Sequence, residues 1–458
     1  MGNKLKDKAL VSQMTDSDQI YGCFGGATRR ISVGDFRTHL NDDDKQVLND
    51  LAFYIDINSH SSLGGSDFDA RVDVGGNLHM IDVLFSQRQN ILMNANGEYI
   101  NLNRNDSRYT EDGEAVVNLE TNALLAKWAH CDFMILLPEY YGRVYTVTTG
   151  DNVKSLLYLS PVPLPGGFTI PQQVVGMYKS TYDGSAMRSL PNYVSDNSQS
   201  INGFWTRAQA RSKNHGLANM DFRNYLLWYM MATYGYRDSQ GCKTADGTLV
   251  WGVGLDGTEN TSGSSTDGWG RQNGIKHGAC LSLGIYDGNM PVTDSAGGTA
   301  HSVNVAGFEN PWGQRWEMVQ GLCSMLDSND VYCWRHNWLP TGTPSAATFA
   351  NVDCVKLVRK QSEGNGTLMN IISDKKGQGV YMIPKGQASG VNYGDYYYYS
   401  ASGQLWLFGG ASNCGAACGL ASASSYFGWS SSDSSFSARL AFYGSVKKVT
   451  KTALATLK

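Results

Sequence analysis

Between residues 46 and 195, short apolar runs alternate with clusters of Gly, Asn, Asp and Ser, at 51–57, 71–74, 78–85, 91–93, 98–102, 115–119, 133–137, 143–149 and 155–159. Runs of this length bounded by turn-forming residues predict strands, so the region reads as a β-rich middle domain. It ends in Pro161-Val162-Pro163-Leu164-Pro165-Gly166-Gly167 and the polar stretch 192–202. Proline fixes φ and glycine releases it, so neither segment continues a sheet, and a linker is placed near 190–203.

Beyond that linker the period changes. Phe222, Tyr225, Leu226, Tyr229 and Thr233 recur at helical spacing and predict a helix over 220–234 with one apolar face turned to the core. Residues 250–300 are Gly-rich and polar, an irregular insertion of a kind that is uncommon in a compact domain unless it carries function. Pro311 suits a first helical position, and Trp312, Trp316, Val319 and Cys323 predict a second helix with the two tryptophans one turn apart. Strands are expected again from 331–334 onward. In the run Tyr396-Tyr397-Tyr398-Tyr399, strand alternation puts Tyr397 and Tyr399 on one face and Tyr396 and Tyr398 on the other. One pair is core and the other a binding or subunit surface. Spacing does not say which, and Tyr397 and Tyr399 are grouped here with the binding residues.

The expected fold class is therefore α+β and multidomain: an N-terminal element over 1–45, a β-rich domain over 46–195 and a second domain over 203–458. A chain of 458 residues exceeds what one hydrophobic core usually serves. With 52 glycines, 25 tyrosines and only 17% charged residues, the composition is that of a loop-rich surface protein. The net charge of −4 and the absence of a long basic cluster argue against nucleic acid and anionic membrane as partners. No run approaches a membrane span, and the first residues lack the apolar stretch of a signal peptide. Synthesis in a cytoplasm is expected, with release by lysis or assembly. The nine scattered cysteines include no C-x2-C pair, and most are expected to be buried and reduced.

Three segments carry a resemblance: Gly307-Phe308-Glu309-Asn310-Pro311-Trp312-Gly313-Gln314-Arg315-Trp316, Leu405-Trp406-Leu407-Phe408-Gly409-Gly410, and Ser437-Ala438-Arg439-Leu440-Ala441-Phe442. Together they resemble the variable proteins of diversity-generating retroelements. The resemblance implies a C-type-lectin-like domain with Trp312, Trp316, Gly409, Gly410 and Arg439 as its fold-defining residues. Gly409 and Gly410 let the backbone leave a strand at unusual φ. It also implies a receptor-binding face of Tyr397, Tyr399, Asn413, Cys414, Ala416, Ala417, Ser422, Ser424, Tyr426, Ser430, Ser432 and Asp433. Asn codons mutated at their first two positions cannot encode Lys, Glu, Gln, Met or Trp, and between 407 and 446 only Trp429 belongs to that excluded set. Near the N-terminus, Thr15-Asp16-Ser17-Asp18-Gln19-Ile20, the glycine pair Gly25-Gly26 and Arg29-Arg30-Ile31-Ser32-Val33 resemble attachment segments of phage head and tail fibres. The implied protein is a homotrimeric virion fibre without enzymatic activity, cofactor or metal. It would bind other virion proteins through its N-terminus and a host-surface protein or glycan through the variable face.

Two alternatives remain at this stage. One is a structural head or tail fibre or decoration protein without receptor binding. The other is an oxidase of the formylglycine-generating type, a similar fold whose cysteine pair finds a counterpart in Cys414 and Cys418. Here the pair is spaced four residues apart rather than five, and Arg439 is the nearest downstream cation. Gly252-Val253-Gly254-Leu255-Asp256-Gly257 has dinucleotide-loop spacing but no helical pattern after it. Asp42-Asp43-Asp44 and Asp67, Asp69 and Asp73 read as solvated acidic loops rather than calcium sites.

Overall fold

The computed structural model describes residues 19–24, 27–32, 44–56, 72–149, 152–252, 274–293, 299–324, 330–334, 354–360, 366–367, 370–373, 380–385, 395–400, 405–412 and 414–456. It is mixed and sheet-rich, with 37% strand and 19% helix.

A seven-stranded sheet forms the centre, in the order His215–Leu217, Leu440–Phe442, Gln173–Gly176, Cys131–Leu137, Gln89–Asn94, Glu98–Asn101 and Lys447–Lys448. Apolar runs 91–93, 98–102 and 133–137 thus become strands: every position of Cys131–Leu137 is buried, whereas Glu98–Asn101, next to the edge, is half-buried. Strand order also corrects the expected boundary at 195–203. Val174 pairs with Phe442 and Val175 with Ala441, so the middle and C-terminal regions share one sheet. The polar stretch between them ends in helix α1, Ile201–Arg211, capped by Ser200, whose hydroxyl accepts from Gly203 N–H. A five-stranded sheet (Phe168–Ile170, Tyr140–Thr149, Asn152–Ser160, Phe53–Asp56, Val74–Gly76) lies in the middle region, and a further large sheet is built around Trp316–Ser324 and Leu405–Phe408.

Helix α2 spans Met220–Tyr234, the residues the spacing predicts. Asn219 caps its start by accepting from Phe222 N–H, and Gly235 ends it at φ 69°. It is not one-faced, since every residue from Met220 to Ala232 is buried. Although it carries Asp221, Arg223 and Asn224, α2 is buried all round as a core helix, and it packs Phe222 on Phe308 at 4.7 Å and Tyr225 and Tyr229 edge-on against Phe85.

Three other expectations are corrected. The run at 78–85 is a helix, His79–Phe85, rather than a strand. The run at 115–119 makes only isolated bridges, Tyr109 to Ala115 and Val117 to Leu124. No helix starts at Pro311. Asn310 and Gly313 take φ 49° and 77°, which a right-handed helix cannot accommodate, and Trp316–Ser324 is a strand. Trp316 N–H donates to Ser435 O at 2.7 Å, and the strand runs parallel to Phe436–Ala438. Trp312 and Trp316 therefore enter two different cores, the first edge-on to Trp251 and the second edge-on to Tyr398, each at 5.8 Å. At the N-terminus, Gln19–Phe24 and Ala27–Ser32 pair as an antiparallel hairpin. About half of the Gly-rich insertion, 253–273 and 294–298, lies outside the described residues.

Between the layers sits a buried charge cluster. Arg439 donates to the carbonyls of Gly176 (3.1 Å), Met177 (2.8 Å) and Glu309 (3.1 Å), and lies 3.3 Å from the Glu317 carboxylate. Lys179 approaches the same carboxylate at 3.8 Å and donates to Arg315 O at 2.7 Å. Burial alone raises a carboxylic pKa, yet Arg439 and Lys179 outweigh it and hold Glu317 below its ordinary value. Burial pulls the Lys179 ammonium down to about 7.

Two outcomes follow from these contacts. Glu317→Gln leaves Arg439 and Lys179 buried without their counter-charge and costs about 3–5 kcal/mol, read as a lowered urea midpoint. His215 is fully buried, edge-on to Phe442 at 5.0 Å and bonded through Nδ1 to Ser212 Oγ at 2.8 Å; burial pulls its pKa down to about 4. Between about 4 and 6.5 the unfolded chain binds this proton and the folded chain does not, so this contribution to stability is lost as pH falls through that window. Glu309, which burial pushes up to about 7, has the opposite sign. Comparison with His215→Asn isolates the histidine, and the variant loses a pH-dependence on the order of 3 kcal/mol in denaturation measured across the window.

Candidate functional site: an exposed face on a bolted strand

The strand Leu405–Phe408 is buried at every position, with Leu405 and Leu407 in the core of Trp316 and Phe436, and Trp406 and Phe408 in the core of Trp312. It ends as the sequence predicts, at Gly409 and Gly410 with φ 90° and 77°. A Cβ on Gly409 would lie 2.5 Å from Pro311 O, and one on Gly410 2.3 Å from Cys418 Sγ. Glycine is thus required twice over, by dihedral and by space.

The chain then enters a tight turn, Gly415–Ala417, fixed at its base by the scaffold. Gln240 Nε2 donates to the carbonyls of Gly415 (3.1 Å) and Cys418 (2.8 Å), and Arg223 donates to Leu420 O at 2.7 Å. Leu420 N–H donates to Ser239 Oγ, and Ala421 N–H to the Asp395 carboxylate at 2.8 Å. Both thiols of the expected pair address one residue. Cys414 Sγ accepts from Ala411 N–H at 3.3 Å, and Cys418 Sγ donates to Ala411 O at 3.1 Å.

Next comes the strand Ala423–Phe427, antiparallel to Leu405–Phe408 and parallel to Tyr396–Tyr399. Being flanked on both sides it is buried over Ala423, Ser424 and Ser425, and it surfaces at Tyr426, which is 54% exposed. The loop after it exposes Ser430, Ser432, Asp433 and Ser434. Asp433 Oδ1 accepts from Ser435 N–H at 2.7 Å, and its carbonyl accepts from Ser198 N–H at 3.1 Å, which pins the loop to the start of α1.

The expected binding residues separate accordingly. Tyr426 at the end of the strand and Ser430, Ser432 and Asp433 in the loop that follows it are exposed, while Cys414 and Ala417 are half-buried in the turn. Three expectations are corrected. Tyr397 is buried, stacked on Trp406 at 5.6 Å with its hydroxyl against Ser425, and Ser422 and Ser424 are buried as well. The reason is that half of the segment is an interior strand and not a loop. Asn413 lies outside the described residues, as do the side chains of Tyr399 and Ala416 and the acidic residues Asp42, Asp43, Asp67 and Asp69.

Sequence reasoning missed the rim of the face. Tyr398, Phe427 and Trp429 pack, half-buried, along the edge of the core that holds Trp316, beside the expected Cys414, and Tyr396 lies 4.6 Å from Tyr398. Alternation in the tyrosine run offered the signal: with Tyr397 in the core of Trp406, Tyr396 and Tyr398 take the opposite face of the strand, where Tyr398 meets Trp316. Comparison of the chain with protein-family models and with curated proteins gives no match.

Gly410→Ala forces a methyl onto Cys418 at a backbone angle that alanine resists, and its melting temperature falls. Removing the thiol in Gly410→Ala/Cys418→Ala restores part of the loss but not all, because about 1 kcal/mol of dihedral strain remains. Calorimetry of both variants checks the order.

Proposed function

We propose that the protein is a phage virion fibre that recognises a host-cell surface receptor through the exposed residues of the 411–434 segment, with its N-terminal hairpin region attaching to other virion proteins and the chain assembled as a homotrimer. The observation that carries this reading is the separation within one segment. Its base is fastened by Arg223, Ser239, Gln240 and Asp395, while Tyr426, Ser430, Ser432 and Asp433 make no contribution to either core. Side chains in such a position can change without loss of the fold, which is what a retroelement-diversified display requires and what binding loops on rigid scaffolds share. Tyrosine among them adds a large, rigid, amphipathic contact face at low entropic cost. The resemblance in the sequence to retroelement variable proteins supports the same reading.

The test pairs stability with adsorption to bacterial cells. Trp312→Ala removes a fully buried ring and costs about 3–5 kcal/mol, whereas Tyr426→Ala and Ser432→Arg stay within about 0.5 kcal/mol of the parent and change adsorption. If the two surface variants melt normally and adsorb as the parent does, the face is not a receptor site and a purely structural fibre is the better reading.

A further inference from the structure

The chemistry of the face narrows what it can hold. From 396 to 434 the chain carries one charged side chain, Asp433, and no histidine, in a protein whose charged residues make up 17%. The aliphatic side chains in that stretch larger than alanine, Leu405, Leu407 and Leu420, are all buried. Among the described residues of that stretch, the aromatic, hydroxyl and carboxylate side chains that reach solvent include Tyr426 at 54% exposure, half-buried Tyr396, Tyr398, Phe427 and Trp429, then Ser430, Ser432 and Asp433.

Each absence excludes a class of partner. A phosphate-rich or otherwise anionic polymer needs Lys or Arg to pair with it, and the 396–434 segment supplies neither, only the Asp433 carboxylate. A protein epitope is held by a dry apolar centre in which Met and Arg join the aromatics, and this segment has neither residue.

We propose that the receptor groups bound by this face are uncharged sugar residues of a cell-surface polysaccharide. The inference rests on the adhesive role proposed above. A pyranose presents C–H groups on its flat faces and hydroxyls around its edge. The faces stack on the Tyr426 ring, and the hydroxyls exchange hydrogen bonds with Ser430 and Ser432 and donate to Asp433. Asp433 is suited to this because Ser435 N–H already fixes one of its oxygens at 2.7 Å, so the carboxylate is oriented before a ligand arrives.

The full chain is titrated over immobilised polysaccharides, the uncharged dextran, mannan and galactan beside the anionic hyaluronate and heparin. Each titration is run at low salt and at roughly 1 M salt, where the screening length is about 3 Å. The expected result is binding to an uncharged polymer that salt leaves unchanged, about tenfold weaker in Tyr426→Ala and retained in Tyr426→Phe. Adsorption to bacterial cells that is abolished by periodate oxidation of their surface sugars and unchanged at roughly 1 M salt supports the inference equally. Binding confined to the anionic polymers, or lost in salt, overturns it. Cell adsorption that survives periodate but is lost to protease also overturns it, leaving the adhesive role intact with a protein receptor. Absence of adsorption to any strain of a bacterial panel removes the adhesive role, and this inference with it.

Discussion

The contact on which the rest of the molecule depends is the buried ion pair of Arg439 and Glu317. A guanidinium without water is tolerated only when its five N–H groups find acceptors. Arg439 meets that demand by drawing three separate segments to itself: the end of the central strand Gln173–Gly176, the carbonyl of Glu309 and the carboxylate of Glu317. The geometry of that one side chain therefore fixes the central sheet against the sheet that carries the exposed face. Its neighbours make the arrangement selective, since Lys179 and Arg223 share the same electrostatic environment and Glu317 is the carboxylate that offsets all three.

A second constraint works at the other end of the same architecture. The exposed face is held from beneath by residues that belong to other parts of the chain, so its backbone is defined independently of the side chains it displays. Cys414 and Cys418 belong to that support, each thiol bonded to Ala411, and the positions open to change begin only where the strand Ala423–Phe427 surfaces.

Local patterns were legible wherever a single element decided its own fate. Helix α2 has a polar cap at Asn219 and a left-handed glycine at Gly235, so both its ends could be read, although the burial of its outer face could not. The strands at 131–137 and 89–94 followed from runs of apolar residues. The segment after Pro311 misled because the i, i+4 spacing of Trp312 and Trp316 also arises when two positive-φ residues break the chain between two cores. What decides in favour of a strand is pairing with Phe436–Ala438, more than a hundred residues later and invisible to any local window. Burial of Ser422 and Ser424 was hidden for a similar reason, because small polar residues look like a loop until both flanking strands are in place. Ser430, Ser432 and Asp433, which lie past the last strand pairing of that segment, are exposed as a loop reading expects.

The shared central sheet has a consequence for how the protein is made. Arg439 and the carbonyl of Gly176 are 263 residues apart, and Leu440–Phe442 is an interior strand with Gln173–Gly176 on one side and His215–Leu217 on the other. During translation the sheet lacks the strand that joins His215–Leu217 to Gln173–Gly176 until residues 440–442 have left the ribosome, and contacts of such separation close slowly. Nascent and prematurely terminated chains are left with open strand edges, exposed to proteases and to aggregation. Completion of the strand Leu440–Phe442 thus acts as a checkpoint, coupling acquisition of the folded state to synthesis of an intact 411–434 segment.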